Sequence, residues 1–325
     1  MGFRTAAALM ACLASAALVV SAPARAQTWP DRPVRIVVPW PPGGITDVIA
    51  RSVGQRLSEV WGQQVVIDNR AGAGSTLGAT LVAKSPADGY TLLINDLGGH
   101  CSAPSLYGKL PYDALKDFDA VMMIAGSPMV LVANPSHNVR TLPQLIELAK
   151  AKPHALNYAS SGSGAITHLG MVRLMRMAGI DMVHVPFKGS VPATSSVIAG
   201  ETAVAFSTIP AALPQAKAGR LNLLAVSFPK RSPQLPDVPT IAETVGEFDL
   251  GLYSGLWAPL GTPRAIINKL HADISAALEQ PKIKDILAVN SAETARFTPA
   301  QFGDYVAHEI GVWGEIIRAA GIKID

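Results

Sequence analysis

The sequence predicts an α/β fold built from two units of parallel-rich sheet flanked by helices. Three observations predict it. Short apolar runs alternate with segments of helical periodicity along most of the chain. The links between them are short and rich in Gly, Pro and Ser. The length, 325 residues, is enough for two such units. Alternation of this kind implies parallel strands covered by helices on both faces.

The elements follow in order. Val34 to Pro39 reads as a strand ending in a Pro/Gly turn. A helix is expected from about Thr46, with Val48, Ile49, Val53, Leu57 and Val60 on one face. Thr46 suits its N-cap, and Asp47 suits the positive end of its dipole. Gln64 to Asp68 is the next strand, followed by a glycine loop and a helix from Ser75 to about Lys84. Pro86-Ala87-Asp88-Gly89 turns into the strand Tyr90 to Ile94. Val121 to Ile124 and Met129 to Val132 read as two further strands. Thr141 opens a capped helix to Lys150. Leu156 to Ala159 is a strand, then come a Ser/Gly loop and a helix to Met177. Met182 to Val185, Ala203 to Phe206 and Leu221 to Val226 repeat the strand pattern. The C-terminal part reads as mostly helical, with Thr262-Pro263 and Thr298-Pro299 as helix starts. The joins between units are expected near Gly126 and Gly251. This makes residues 27–126 plus 251–325 one discontinuous unit and 127–250 the other.

The first 26 residues read as a secretory signal peptide. Arg4 is followed by an apolar stretch from Thr5 to Val20, then by Ala24-Arg25-Ala26, a small-x-small cleavage pattern. Cleavage after Ala26 leaves a mature chain starting at Gln27 in the periplasm. Arg4 and Arg25 leave without any acidic residue, so the formal charge falls from +3 to +1. A lipoprotein reading of Leu9-Met10-Ala11-Cys12 competes, but the apolar stretch ahead of Cys12 is short and Met10 fits poorly. With Cys12 removed, Cys101 stands alone and reads as a small core residue. No Lys/Arg run is long enough to track a phosphate backbone, so nucleic acid is not an expected partner.

Four loops after strand ends carry the candidate chemistry, because open parallel sheets bind ligands there. Pro39-Trp40-Pro41-Pro42-Gly43-Gly44 precedes a helix, and its glycines let the backbone approach an anion. Ser160-Ser161-Gly162-Ser163-Gly164 offers hydroxyls and amides, with His168 one turn into the helix. A structural role for that ring is the competing reading. Pro186 to Ser190 adds Lys188, and Asp96 to Ser102 contains His100 and Ser102. The candidate binding residues are therefore Trp40, Gly43, Gly44, Thr46, Asp47, His100, Ser102, Ser160, Ser161, Gly162, Ser163, His168 and Lys188.

Gly72-Ala73-Gly74-Ser75-Thr76-Leu77-Gly78 approaches a dinucleotide fingerprint, with Asp96 about twenty residues on. It has one residue too many before the last glycine, and export argues against such a cofactor. Tight helix packing explains the glycines as well. The chain lacks a Gly-x-Ser-x-Gly elbow and a phosphate loop, and its seven histidines have no paired zinc spacing. No cofactor and no metal are expected.

Read together, these pieces resemble the Bug-type extracytoplasmic receptors of tripartite tricarboxylate transporters. The resemblance rests on Trp29-Pro30 to Val34, Pro39 to Asp47, and Val65 to Gly74. It continues through Pro86 to Leu93, Leu156 to His168 and His184 to Gly189. It closes with Leu235 to Thr240, Trp257-Ala258-Pro259 and Glu309 to Trp313. It implies a two-lobed, periplasmic-binding-protein-like fold with a ligand cleft between the lobes. It also implies a receptor without catalytic activity that captures a small carboxylate and delivers it to membrane subunits. A monomer is expected. The resemblance assigns carboxylate binding to Trp40, Gly43 and Gly44 on one lobe and to Ser160 to Ser163 and His168 on the other. This chain departs from the family pattern at Ala103, where asparagine is usual, at Ala203, where aspartate is common, and at Phe187, where tyrosine is frequent. The missing acid at 203 leaves plain organic acids favoured over amine-bearing ones. The alternative is an exported enzyme acting on small acids with His168 or His100 as base.

Overall fold

The first strand, β1 (Val34–Val38), is central to one half of the molecule and is almost wholly buried. It lies in a computed structural model that describes residues 29–324. The expected signal peptide, with Cys12 and the cleavage site after Ala26, lies outside the described residues. β2 (Val65–Asn69) and β3 (Thr91–Asp96) flank β1, both parallel to it. Each crossover carries a helix: α1 (Ile45–Trp61) after β1 and α2 (Thr76–Ala83) after β2. Ile49, Val53 and Leu57 of α1 pack on the sheet, whereas Val60 is half exposed.

A second parallel triplet forms the other half. β5 (Asn157–Ser160) pairs in parallel with β6 (Val183–Pro186) and β7 (Val204–Thr208). Its helices are α4 (Leu142–Ala151), α5 (Ile166–Ala178), α6 (Ser190–Ala199) and α7 (Ile209–Lys217). Between the triplets the sheet is antiparallel, which the sequence alternation did not announce. β4 runs unbroken from Phe118 to Ala133, where two strands were expected. Its first part pairs with β9 (Gly251–Pro259), and from Met129 on it pairs with β7 and with β8 (Asn222–Val226). One long strand therefore belongs to both halves, and its partners change at the Pro128/Met129 step. β9 also pairs antiparallel with β3, so the strand order is β2-β1-β3-β9-β4-β7-β5-β6, and β10 (Glu293–Thr294) adds to β4.

Asp96 to Ser102, expected as a loop, lies at the start of the helix α3 (Leu97–Leu106). Asp96 is its N-cap and accepts from the Gly99 amide. A short helix, α8 (Ala242–Val245), precedes β9. The C-terminal helices are α9 (Arg264–Leu278), α10 (Pro281–Val289) and α11 (Pro299–Ala319). Thr298 and Gln301 form a full capping box at α11, as its sequence implies. At α9 the N-cap is Pro263 rather than Thr262. α11 packs on α3 and β4, which returns the end of the chain to the half where it began. Cys101 is fully buried beneath α11, with its sulfur 3.7 Å from the Val306 carbonyl, and burial pushes its thiol well up.

Candidate functional site

The C-terminal ends of β2 and β3 carry polar residues that, with Asp47 of α1, tie the Pro/Gly loop after β1 into one shape. Asn69 donates to the Trp40 carbonyl at 3.0 Å and to Asp47 Oδ1 at 2.9 Å. Asp47 Oδ2 accepts from the Gly43 amide and from Arg51 Nε, each at 2.9 Å. Arg51 also donates to Asn69 Oδ1 at 2.7 Å. Burial works to raise the Asp47 carboxyl, but Arg51, the Gly43 amide and Asn69 outweigh it and hold it below the usual range. Asp47 thus holds the loop and spends its acceptors within it. The Gly43 amide is spent too, so of the expected glycine pair only Gly44 keeps its amide for a guest. Gly43 has φ 90°, which a side chain would strain.

The helix begins one residue earlier than expected. Gly44 is the N-cap, Thr46 lies inside the first turn, and no side chain caps α1. Thr46 Oγ1 accepts instead from Ser254 Oγ of β9 at 3.4 Å. The amides of the first turn therefore lack a partner within the helix. Trp40 Nε1 donates to Asn95 Oδ1 at 3.0 Å, and Asn95 donates to Ser75 Oγ at 3.2 Å. Ser75 stands in the glycine-rich stretch that faintly matched a dinucleotide fingerprint. There a Cβ at Gly78 would lie 2.8 Å from Pro39 Cβ, so that glycine serves close packing of α2 against the end of β1.

In the other half, the Ser/Gly loop is clamped by two histidines. Ser160 Oγ lies 2.6 Å from His184 Nε2, donates to the Gly162 carbonyl at 3.1 Å and accepts from the Gly162 amide at 3.2 Å. With His184 as donor, every hydrogen-bonding capacity of that hydroxyl is used. His168 Nδ1 accepts from the Gly164 amide at 3.0 Å. Burial lowers His168 to about 4, helped by the neighbouring His184, and burial lowers His184 as well. Two neutral rings result. The Ser161 amide donates to Thr167 Oγ1 at 2.9 Å. Ala165 N-caps α5 without a side-chain bond, so α5, like α1, starts with uncapped amides. The Gly189 amide donates to the Ser161 carbonyl at 3.1 Å, which lays the Lys188 loop beside Ser161, with Lys188 exposed.

The two halves meet at α3. A Cβ at Gly98 would lie 2.7 Å from Ile166 Cδ1, the first residue of α5. A Cβ at Gly99 would lie 3.2 Å from Trp40 Cζ2 and from Ser75 Oγ. A Cβ at Gly164 would lie 2.4 Å from Ile324 Cδ1. Gly98 therefore brings the start of α3 against the start of α5, and Gly99 brings it against the Trp40 loop that leads into α1. A cavity of about 580 Å³ opens beside this contact, lined by Leu97, Gly98, Ile166, the 246–251 segment and α11. Neither the Gly43-Gly44 turn nor the Ser161-Gly162 turn lines it.

Of the residues singled out from the sequence, Trp40, Gly44 and Thr46 stand at the first-half strand ends, and Ser160 to Ser163 and His168 at the start of α5. Gly43 and Asp47 are consumed in holding the loop. His100 and Ser102 stand elsewhere. His100 is fully buried, bonds to the Ala114 carbonyl and stacks on Trp257, and burial lowers it to about 4. Ser102 is buried within α3. Arg51, Asn69, Asn95, Thr167 and His184 were not foreseen. Arg51 could have been found as the i+4 partner of Asp47. Asn69 and Asn95 could have been found as polar residues closing apolar strands. Among the described residues no cluster of three or more His, Cys, Asp or Glu is placed to hold a metal, and no helix is long and apolar enough to cross a membrane.

Comparison with known proteins agrees with this architecture. Protein BugT of Bordetella pertussis is 38% identical over 313 residues, covering 94% of each chain. A protein encoded in the tcbD-tcbE intergenic region of Pseudomonas sp. strain P51 is 38% identical over 295 residues, covering 90% of this chain and 88% of its own. Among solved structures, Rpa4515 of R. palustris with adipate superposes with a TM-score of 0.81 at 36% identity, over 91% of this chain and all of that one. MatC of Rhodopseudomonas palustris with bound malate gives 0.77 at 33% identity, over 89% of this chain and all of that one. A family model described as the tripartite tricarboxylate transporter family receptor matches residues 49–322. The chain belongs to that family of periplasmic, two-lobed receptors.

Proposed function

We propose that this chain is an exported receptor without catalytic activity, which closes two lobes on a small organic carboxylate and delivers it to the membrane subunits of a tripartite transporter. One observation carries the reading. α1 in one half and α5 in the other both follow a parallel strand, both begin without a side-chain cap, and α3 packs on the start of α5 and on the Trp40 loop that leads into α1. Uncapped amides at helix starts favour negative charge, and a buried carboxylate needs a donor for each oxygen. The adipate and malate seen in two relatives support the same ligand class. The lobes are 27–126 with 251–325, and 127–250, and β4 and β9 form the hinge. The mature protein starts at Gln27 in the periplasm and acts as a monomer. Trp40, Gly44, Thr46, Ser161 and Ser163 are the proposed contacts, with Gly43, Asp47, Ser160, Gly162 and His168 shaping the loops that present them. Lys188 stands at the rim.

A thermal-shift panel of mono-, di- and tricarboxylates tests the reading. A ligand at a hundred times its dissociation constant adds about 2.7 kcal/mol of stability. A panel in which no acid shifts the transition overturns it. One observation favours an enzyme instead, the Ser160–His184 contact at 2.6 Å. Ser160 is fully buried, however, and its hydroxyl is committed to Gly162. Incubation of the stabilising acid with the protein, followed by chromatography, should return it unchanged.

A further inference from the structure

The Asp96 carboxylate caps α3 where that helix meets the start of α5 and the Trp40 loop. Its Oδ2 accepts the Gly99 amide at 2.8 Å, as an N-cap should, and the Gly98 amide also faces the carboxylate. Its Oδ1 is buried and has no hydrogen-bond partner. The residue is 7% exposed. An orphaned oxygen on a buried carboxylate is costly, so it calls for a donor that the protein itself does not supply.

The surroundings place the carboxylate at the junction between the lobes. Oδ2 lies 3.4 Å from the Cβ position of Gly98, which meets Ile166, and 3.3 Å from that of Gly99, which meets Trp40. Ser254 lies directly opposite Asp96 in the β3–β9 ladder and bonds Thr46 at the start of α1. The nearby Asp47 charge is matched by Arg51. Asp96 takes part in no ion pair among the described residues. The first-lobe wall of an anion site thus holds one uncompensated negative group.

We infer that Asp96 sets ligand specificity: the carboxylate this receptor takes carries a hydroxyl or ammonium group, and that group donates to Asp96 Oδ1. The inference rests on the carboxylate-receptor reading and narrows it. The uncapped amides of α1 and α5 hold the ligand's carboxylate, and Asp96 holds its donor. An unsubstituted acid leaves the buried oxygen orphaned and adds a second negative charge to the wall. This reverses the expectation drawn from Ala203, because Asp96 supplies an acid from another strand.

Calorimetric titration of the mature protein with three matched sets tests this: propionate, lactate and alanine; succinate, malate and aspartate; glutarate, 2-hydroxyglutarate and glutamate. The tightest binder should carry the donor and exceed its unsubstituted partner by about tenfold or more, the worth of one hydrogen bond to a charged group. The hydroxy and amino arms tell which donor is used. Asp96→Asn keeps the capping oxygen but turns the other position into a donor. It should bring the ratio to about one or below by strengthening the unsubstituted acid. Asp96→Ser, which also caps a helix, covers a failure of the first variant to fold. A wild type that prefers unsubstituted acids, or a preference for the donor that survives both variants, overturns the inference and leaves the receptor reading intact. Binding of none of the nine acids, nor of any member of the wider carboxylate panel, overturns both.

Discussion

The imidazole of His168 lies face to face with that of His184, with centroids 3.9 Å apart and planes 3° from parallel. Tyr158 lies beside the pair, its centroid 5.0 Å from that of His184 and 6.2 Å from that of His168. Neutral rings tolerate this contact, and two cations at the same distance do not. The two bonds they make, from His184 to Ser160 and from the Gly164 amide to His168, hold the second-lobe loop at its two ends.

Acid should therefore loosen that loop. His168 titrates near 4 in the folded protein and near 6.5 in the unfolded chain, so its contribution is complete above 6.5 and declines as pH falls towards 4. The loss amounts to about 3 kcal/mol from this residue at the lower end. His168→Gln keeps an acceptor for Gly164 and cannot titrate. Urea unfolding at pH 7 and pH 4.5 should show a smaller drop for the variant. An equal drop in both proteins assigns the acid sensitivity elsewhere, His100 being the other buried histidine lowered to about 4.

Asp96 should act with the opposite sign. Burial raises its carboxyl to about 6 against the ordinary 3.8. Its contribution is fully present below 3.8 and is lost as pH rises through 6. At pH 7.5 the buried charge costs about 3 kcal/mol, and Asp96→Asn should recover part of that in the ligand-free protein. The gain should vanish at pH 3.5, since Asn and Asp cap helices equally well. Chemical denaturation of both proteins at the two pH values measures it, and a gain that does not depend on pH refutes the role given to the charge.

The loop that presents Gly44 depends on Asp47. Asp47→Ala strips a partner from the Gly43 amide, Asn69 and Arg51 together. Arg51 is half exposed, so its ion pair contributes little, and the buried hydrogen bonds dominate. A loss of about 2–3 kcal/mol in stability is expected. Carboxylate affinity should fall further than in a control such as Asp273→Ala, whose carboxylate meets Trp61 and Lys269 instead. Denaturation midpoints and the thermal-shift panel report the two effects separately.

Much of the scaffold is legible in the chain. Apolar runs such as Val34 to Val38 and Leu92 to Ile94 announce buried parallel strands, and Thr298 with Gln301 announces α11. What stayed hidden has a common physical cause: residues that lower local propensity because a distant neighbour requires them. Gly251 and Gly255 keep β9 from reading as a strand, and Gly251 reads instead as a join between units, yet a Cβ there would meet Phe228 at 2.3 Å and Phe302 at 2.5 Å. Gly126 and Pro128 look like a turn, but β4 runs through them to join the lobes. Gly98, Gly99 and Pro104 argue against a helix at α3, although close approach of Ile166 and Trp40 explains both glycines. In the site, Trp40 to Asn95 and Ser160 to His184 are bonds between strand ends far apart in sequence, which no periodicity reveals. Gly43 and Asp47 read in the sequence as neighbours of a helix start, but the bond between them appears only in the structure.

Gly98 is the last of these glycines to carry a prediction, because it lies where the lobes touch. A side chain there meets Ile166 Cδ1 at 2.7 Å, the flexible end of an isoleucine, so alanine can be absorbed by a rotamer change. Valine adds two more carbons on a stiff χ1 and cannot be absorbed without parting α3 from α5. Overpacking of this kind costs about 1–3 kcal/mol when confined in a core. If the proposed closure makes this contact, valine should act on the closed form rather than on folding. Gly98→Val should leave the denaturation midpoint close to wild type, enlarge the radius of gyration in small-angle scattering with ligand present, and weaken carboxylate binding by about tenfold. Gly98→Ala should leave the midpoint, the radius of gyration and the affinity all close to wild type. If valine lowers the folding midpoint while the ligand still compacts the protein, the Gly98–Ile166 contact belongs to the static core and closure takes place elsewhere.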